Sequence, residues 1–259
     1  MKPGEMWSQG DYAAVGDRFA AAARRLAETH VEPGTDVLDL ACGPAPFAIA
    51  AAKAGARVTA LDAAPALLDL ARRRAGAAGL AVEWVEADMT APPFEDEAFD
   101  LVGSTFGCMF APDPAAMAAE LVRLCRPGGR VAALAWTPDS AFGAMSPLAR
   151  RFLPDDAGPS TVEHWNRPDS VAETFAAQPV RLASTVLAVD VVWDDLDQAM
   201  SEITGGNPAW LGIRAAVEPT GRWPELVADL RDLFDRMGHR DERGFVLPVD
   251  YLETVAAKA

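Results

Sequence analysis

The chain has 259 residues, half of them hydrophobic and 24% charged, with a mean hydropathy near zero. Collagen-like and disordered classes are excluded, and the length suits one large domain or a domain with a sizeable insertion. Lys and Arg number 23 against 38 Asp and Glu, a net charge of −15; a field of that sign repels phosphate backbones and anionic lipid, so a small molecule is the expected partner rather than nucleic acid or a membrane.

Residues 1–35 read as a helical cover whose helix ends near His30. The opening MKPGEMWSQGDY lacks the apolar stretch of a secretory signal, and no apolar run approaches the ~18 to 20 residues of a spanning helix. From Asp36 to Trp136 short apolar runs alternate with longer helical ones, the pattern of a parallel sheet with crossover helices. DVLDLA (36–41), RVTALD (57–62), AVEWVEAD (81–88) and FDLVGST (99–105) read as strands, and RVAALAW (130–136) as a fifth that follows an RPGG turn at 126–129. The intervening helices, 47–54, 65–78 and 112–125, carry Pro near the start or Gly past the end. Right-handed crossovers then impose a doubly wound sheet.

Beyond Trp136, residues 137–167 are rich in Pro, Asp, Gly and Ser around a short helix at 145–152. A helix at 168–177 and a strand at 182–193 follow. Residues 194–238 read as helical, interrupted at Gly205, Gly206, Pro208, Pro219 and Pro224, and 244–259 as a last strand, with or without a short terminal helix. The expected architecture is α/β: a doubly wound, mostly parallel, seven-stranded Rossmann-like sheet formed by 36–193 and 239–259. Residues 1–35 form its N-terminal cover and 194–238 a helical insertion over the site. Cys42, Cys108 and Cys125 include no CxxC pair, which indicates neither a zinc ribbon nor a disulfide framework and makes a reducing cytoplasm the expected setting.

In such sheets ligands bind outside the carboxyl ends of the strands, at the switch point beside the first strand. Here that place is DLACGPAP, Asp39 to Pro46, where the small residues Ala41, Gly43 and Ala45 admit close approach and the next helix aims its N-terminus. Taken alone, the turn reads equally as an ordinary strand-to-helix connection. Asp62 closes the second strand 23 residues after Asp39, near the ~20 expected for a carboxylate that holds a ribose diol; capping the helix at 65–78 is its competing role. Pro44 and Pro46 have no N–H, so two potential phosphate donors are missing from the loop. That disfavours a nicotinamide or flavin dinucleotide and suits S-adenosylmethionine (SAM), an adenosine joined through a sulfonium to a zwitterionic amino acid.

VLDLACGPAPFAIAAA, ALDAAPALLDLARRRA, VEWVEADMTAPPFEDEAFDLVGSTFGCMF and AAELVRLCRPGGRVAALAW, in that order over roughly half the chain, resemble the class I SAM-dependent methyltransferases, in particular the small-molecule branch similar to the ubiquinone/menaquinone-biosynthesis methyltransferases. The resemblance implies that Asp39, Ala41, Cys42 and Gly43 line the methionine moiety, Asp62 and Ala63 hold the ribose edge, and Leu67 packs on the adenine. It implies that Asp88 accepts from the adenine amine, that the Met89 backbone meets the ring, and that Ser104 and Thr105 reach the amino group and face the acceptor. It also implies S-adenosylhomocysteine (SAH) as product. Ala41 and Ala45 stand where the family carries glycine, and each added methyl narrows the approach. Upstream, WSQGDYAAVGDRF resembles the family's closing segment, with Tyr12 on the carboxylate or sulfonium face; an amphipathic helix packing Tyr12 and Phe19 into the core is the alternative. Cys42 has no basic partner nearby in sequence and reads as a packing residue rather than a nucleophile.

Methyl transfer from a sulfonium is an in-line displacement, so positioning in a dry pocket can supply much of the rate and no base is obligatory. His30, His164 and His239 read as capping or surface residues, and no catalytic residue or metal ligand is assigned. Phe106 and Phe110 after the fourth strand, with Trp210 in the insertion, are the candidate contacts for a hydrophobic acceptor, a secondary metabolite or a quinone-like compound. A SAM-binding protein that transfers no methyl group is the alternative.

Overall fold

A computed structural model describes residues 3–8, 12–154 and 160–259. Three helices come first: α1 (Pro3–Trp7), α2 (Tyr12–Arg18) and α3 (Ala20–His30). The βα alternation follows as β1 (Asp36–Leu40), α4 (Pro46–Lys53), β2 (Arg57–Asp62), α5 (Pro65–Ala77), β3 (Glu83–Glu86), β4 (Phe99–Thr105), α6 (Pro114–Leu124) and β5 (Cys125–Trp136). Then come α7 (Ala141–Arg150), α8 (Pro168–Thr174) and β6 (Val180–Trp193), and α9 (Leu196–Ser201), α10 (Pro208–Val217) and α11 (Trp223–Met237), before β7 (His239–Asp241) and β8 (Gly244–Lys258).

The sheet runs β3-β2-β1-β4-β5-β8-β6, with β7 paired to β8 off this path. The first five strands are parallel and β8 is antiparallel to both β5 and β6. The chain moves outward from β1 through β2 to β3, then returns to β4 on the other side of β1. That reversal opens a crevice at the carboxyl ends of β1 and β4, where an open α/β sheet receives its ligand. Strand β1 is buried beyond its first residue and apolar apart from Asp39, as a central parallel strand covered on both faces is. Gly103 in β4 lets α4 approach: a Cβ there would stand 2.2 Å from Cε1 of the buried Phe47.

One stretch departs from the sequence reading, and at the C-terminus one of two open alternatives holds. Arg126–Gly129 is no turn, because β5 begins at Cys125 and absorbs it as a bulge; Cys125 faces Phe99, yet Arg130 already faces Leu101. Extended pairing on both flanks overrides the local turn signal, and Gly128 takes the distortion at φ +77°. The C-terminal segment is one long strand with no terminal helix. His239, just past the helical insertion, sits in β7, which folds back on β8. Helices α9–α11, with a π turn at Glu202–Gly206, form the insertion. Arg18 of α2 ties the cover to it, with its guanidinium on Glu202 at 2.8 Å, on the Val192 carbonyl and over the Trp193 ring, and α1 packs on α10. No helix of the described residues is long and apolar enough to cross a membrane.

Candidate cofactor and acceptor site

The turn after β1 is built from left-handed backbone. Ala41, Gly43 and Ala45 have φ of 57°, 54° and 61°, so two alanines hold conformations that glycine adopts freely, at a cost of order 1 to 2 kcal/mol each. The turn is held in place by Asp62 at the end of β2: Oδ2 accepts from the Gly43 N–H at 2.7 Å and Oδ1 from the Ala64 N–H at 2.9 Å. Asp62 does not cap α5, whose N-cap residue Ala64 carries no side-chain cap bond. It clasps the turn to the sheet. Burial raises its pKa against the lowering effect of the backbone N–H bonds.

Asp39 lies behind the same turn, fully buried. Its Oδ2 accepts from the Ala48 N–H at 2.9 Å, while Oδ1 has no hydrogen-bond partner. Burial, with the Asp62 charge adding to it, pushes the carboxyl up to about 7.

In front of the turn is a cavity of about 370 Å³. Ala41, Gly43, Asp62 and Ala63 form one wall, Leu67, Asp88, Met89 and Thr90 a second, and Phe106, Gly107, Phe110 and Pro112 a third, with Trp7 and Tyr12 across the front. Asp88 Oδ1 accepts from both the N–H and the hydroxyl of Thr90, which fixes the carboxylate and leaves Oδ2 to the cavity. The lining holds two carboxylates and no Lys, Arg or His, so the site suits hydroxyls, amines and a cation, and repels phosphate. A second chamber of about 790 Å³ adjoins it and shares Trp7, Tyr12 and Phe110. Trp136, Phe142, Met145, Asn207, Trp210 and Ile213 are among its walls.

Tyr12, Ala41, Gly43, Asp62, Ala63, Leu67, Asp88, Met89, Phe106 and Phe110 therefore converge on one cavity, and Trp210 faces the adjoining chamber. Ser104, expected at the amino group of a ligand, does not reach it. It is fully buried, donating to the Leu40 carbonyl at 2.8 Å and accepting from the Cys108 N–H; its neighbour Thr105 borders a narrow crevice beside Cys42 and Pro44 instead. Cys42 is buried against that crevice, with its thiol pushed well above the ordinary range by burial and then by the Asp39 and Asp62 charges, so it is no thiolate nucleophile. Burial and then Asp62 also raise the Tyr12 phenol, which keeps its proton. His30, read as a capping or surface residue, packs inside with Nε2 3.3 Å from Glu253 Oε1, while His164 and His239 are exposed.

Trp7, Thr90 and Asn207 belong to the two chambers and were not singled out from sequence. Trp7 stacks edge-on against Tyr12 and tilted against Phe110, each at 5.1 Å between centroids, and an aromatic in the quoted WSQGDY segment was the available signal. Nothing local marks Asn207, which the insertion brings in.

A doubly wound sheet with an acidic, phosphate-averse nucleoside cavity at its switch point defines a SAM-dependent methyltransferase fold. A family model described as "Methyltransferase domain" matches residues 37–129. An uncharacterized protein of Mycobacterium tuberculosis is 41% identical over 174 residues, 66% of this chain and 64% of that protein, so the chain spans less than two thirds of that relative's length. Demethylmenaquinone methyltransferase of Thermus thermophilus is 36% identical over 158 residues, 54% of this chain and 72% of the enzyme. The crystal structure of a methyltransferase-like protein of Bacillus halodurans superposes with a TM-score of 0.63 at 18% identity, covering 92% of this chain and 98% of the other. The chain belongs to the class I SAM-dependent methyltransferases.

The residues present fit the family's cofactor. Asp62 and Asp88 turn carboxylate oxygens toward the cavity, as a diol and an amine require; Asp39, expected to line the methionine moiety, is instead sealed behind the turn and does not border the cavity.

Proposed function

We propose that the protein transfers the methyl group of SAM to an apolar small molecule held in the second chamber. The observation that carries this reading is the meeting of two unlike chambers at one aromatic neck. The acidic one, with Asp62 and Asp88 and no basic residue among its described lining, is sized for a nucleoside; the larger one sets aromatic and aliphatic side chains beside Arg150, Glu163 and Asn207, and Trp7, Tyr12 and Phe110 belong to both. When bound, SAM supplies an electrophilic methyl on a sulfonium.

In this reading Asp62 and Ala63 hold the ribose edge, Leu67 packs on the adenine, the free Asp88 Oδ2 accepts from the adenine amine and the Met89 backbone meets the ring. Ala41 and Gly43 border the methionine end, with Asp39 and Cys42 packed behind them. Phe106 and Phe110 flank the reacting centre. Trp210 holds the acceptor from above. Residues 1–35 close over the cofactor and 194–238 form the acceptor lid, coupled by the Arg18 to Glu202 bridge. The aromatic neck excludes water and aligns the acceptor with the methyl, which is where an in-line displacement gains most of its rate. No base is assigned. The name of the T. thermophilus relative, which denotes a quinone acceptor, supports a flat apolar substrate.

Incubation with methyl-labelled SAM and a panel of phenols, quinones and polyketides tests the proposal. Label in an apolar product supports it. Calorimetry that detects no binding of SAM or SAH overturns it.

A further inference from the structure

The second chamber contains one polar group whose geometry specifies what it can accept. Asn207 stands between the π turn and α10, is 5% exposed and lines the chamber. Its Oδ1 accepts from the Ala209 N–H at 3.0 Å and caps α10. That bond fixes the orientation of the amide, because only the carbonyl end can cap. The Nδ2 end has no hydrogen-bond acceptor among the described residues, although it belongs to a side chain almost wholly withdrawn from bulk water.

The chamber is also lined by Arg150, Glu163 and hydroxyls that bond elsewhere, none of which bonds to Nδ2. Ser146 donates to Ser160 at 2.9 Å and Thr161 to the Met109 carbonyl at 2.8 Å. Unlike the Trp136 indole N–H, which is sealed in the wall, the Nδ2 group is not closed off, and a site that hydrogen-bonds a ligand oxygen rejects analogues that lack it. Trp210 lies one turn along the same helix, and its indole is buried at the chamber wall, so a flat ring lying against it stands beside the Asn207 amide.

We infer that Asn207 is the specificity contact of the acceptor chamber, donating from Nδ2 to a carbonyl oxygen carried on a flat apolar ring system. The inference rests on the reading of this chamber as the acceptor site. A ketone or quinone-type oxygen satisfies the amide. A hydrocarbon of the same shape leaves the amide bare.

The test uses the full chain saturated with SAH and two probes of matched shape, 2-acetylnaphthalene and 2-isopropenylnaphthalene, titrated by calorimetry. Wild type binds the ketone about tenfold or more tightly than the hydrocarbon. In Asn207→Asp the cap oxygen remains, the donor is lost and a negative charge faces the carbonyl. The preference disappears through weaker ketone binding, while the melting temperature and SAH affinity hold. Asn207→Ser, which also keeps a capping oxygen but withdraws the amide, gives the same loss of preference. Equal binding of the two probes by wild type, no binding of either, or a preference that survives in both variants overturns the inference. Loss of SAH binding in the wild type instead overturns the methyltransferase reading.

Discussion

Replacing Asp39 with Asn makes the protein more stable in neutral and alkaline solution and leaves it unchanged in acid. Asp39 is fully buried, keeps one oxygen without a partner, and has its carboxyl raised from 3.8 to about 7. The folded state therefore holds the proton more tightly than the unfolded chain. That contribution is fully present below 3.8 and is lost as pH rises through 7, above which the fold carries an unpaired buried charge. At about 1.4 kcal/mol per pH unit, the charge costs up to about 4 kcal/mol at pH 8, about 2 at pH 5 and nothing near pH 3.5. Asparagine is the neutral isostere and its carbonyl still accepts from Ala48. Urea denaturation of wild type and Asp39→Asn without cofactor, at pH 4, 6 and 8, measures the gap. It should open with pH and correspond at pH 8 to roughly 10 °C in melting temperature, at ~2 to 4 °C per kcal/mol. In the proposed reading the ammonium of SAM supplies the positive field that Asp39 lacks, and SAM should reverse the advantage. Wild-type affinity for SAM should rise through pH 7, and in the variant that slope should vanish. A stability difference that is the same at every pH, or a variant less stable at pH 8, refutes the reasoning.

Asp62→Ala removes the acceptor for the Gly43 and Ala64 N–H groups and, in the proposed reading, for the ribose, so it should lower the melting temperature and weaken SAM by on the order of a hundredfold; an unchanged dissociation constant by calorimetry counts against the ribose role. Gly103→Ala places a methyl 2.2 Å from Phe47 and should cost about 1 to 3 kcal/mol in urea denaturation through overpacking alone, with a normal value showing that α4 can retreat. Trp210→Ala empties a site that is 2% exposed and faces the chamber; it should cost about 3 kcal/mol and raise the acceptor KM while the SAM affinity of the folded fraction holds. A matching loss of SAM affinity would move Trp210 out of the acceptor role.

The parallel half of the sheet was legible because its strands are apolar runs bounded by Pro and Gly, and its turn was legible because small residues and Asp62 sit at nucleoside-binding spacing. What failed was set by tertiary contacts. Ser104 and Thr105 are adjacent, and successive strand residues face opposite ways; choosing the one that reaches a ligand requires knowing which side the chain turns after β4. The RPGG stretch carries every local mark of a turn, yet the pairing of β5 with β4 draws it into the strand. Glycine at the family's turn positions was expected to matter for approach to the ligand. Ala41 and Ala45 instead adopt the glycine conformation and carry its strain. Asn207 sits in a stretch legible as an interrupted helix, but its place in the chamber depends on α1 and α10 packing together, which no local pattern encodes.

Strand β8 has a consequence for how the chain folds. It lies between β5 and β6 and is the only strand bridging them, and its partners in β5 lie far back along the chain, Arg130 opposite Ala257. Until β8 is in place the parallel strands β1–β5 end in an open edge, and β6 has no neighbour at all. Closing so distant a pairing is slow, and a waiting edge strand is a template for other chains. The crevice between β1 and β4, by contrast, needs none of β6, β7 or β8. The cofactor half can organise first, and a ligand that binds it early would hold the β5 edge in register for the strand that arrives last.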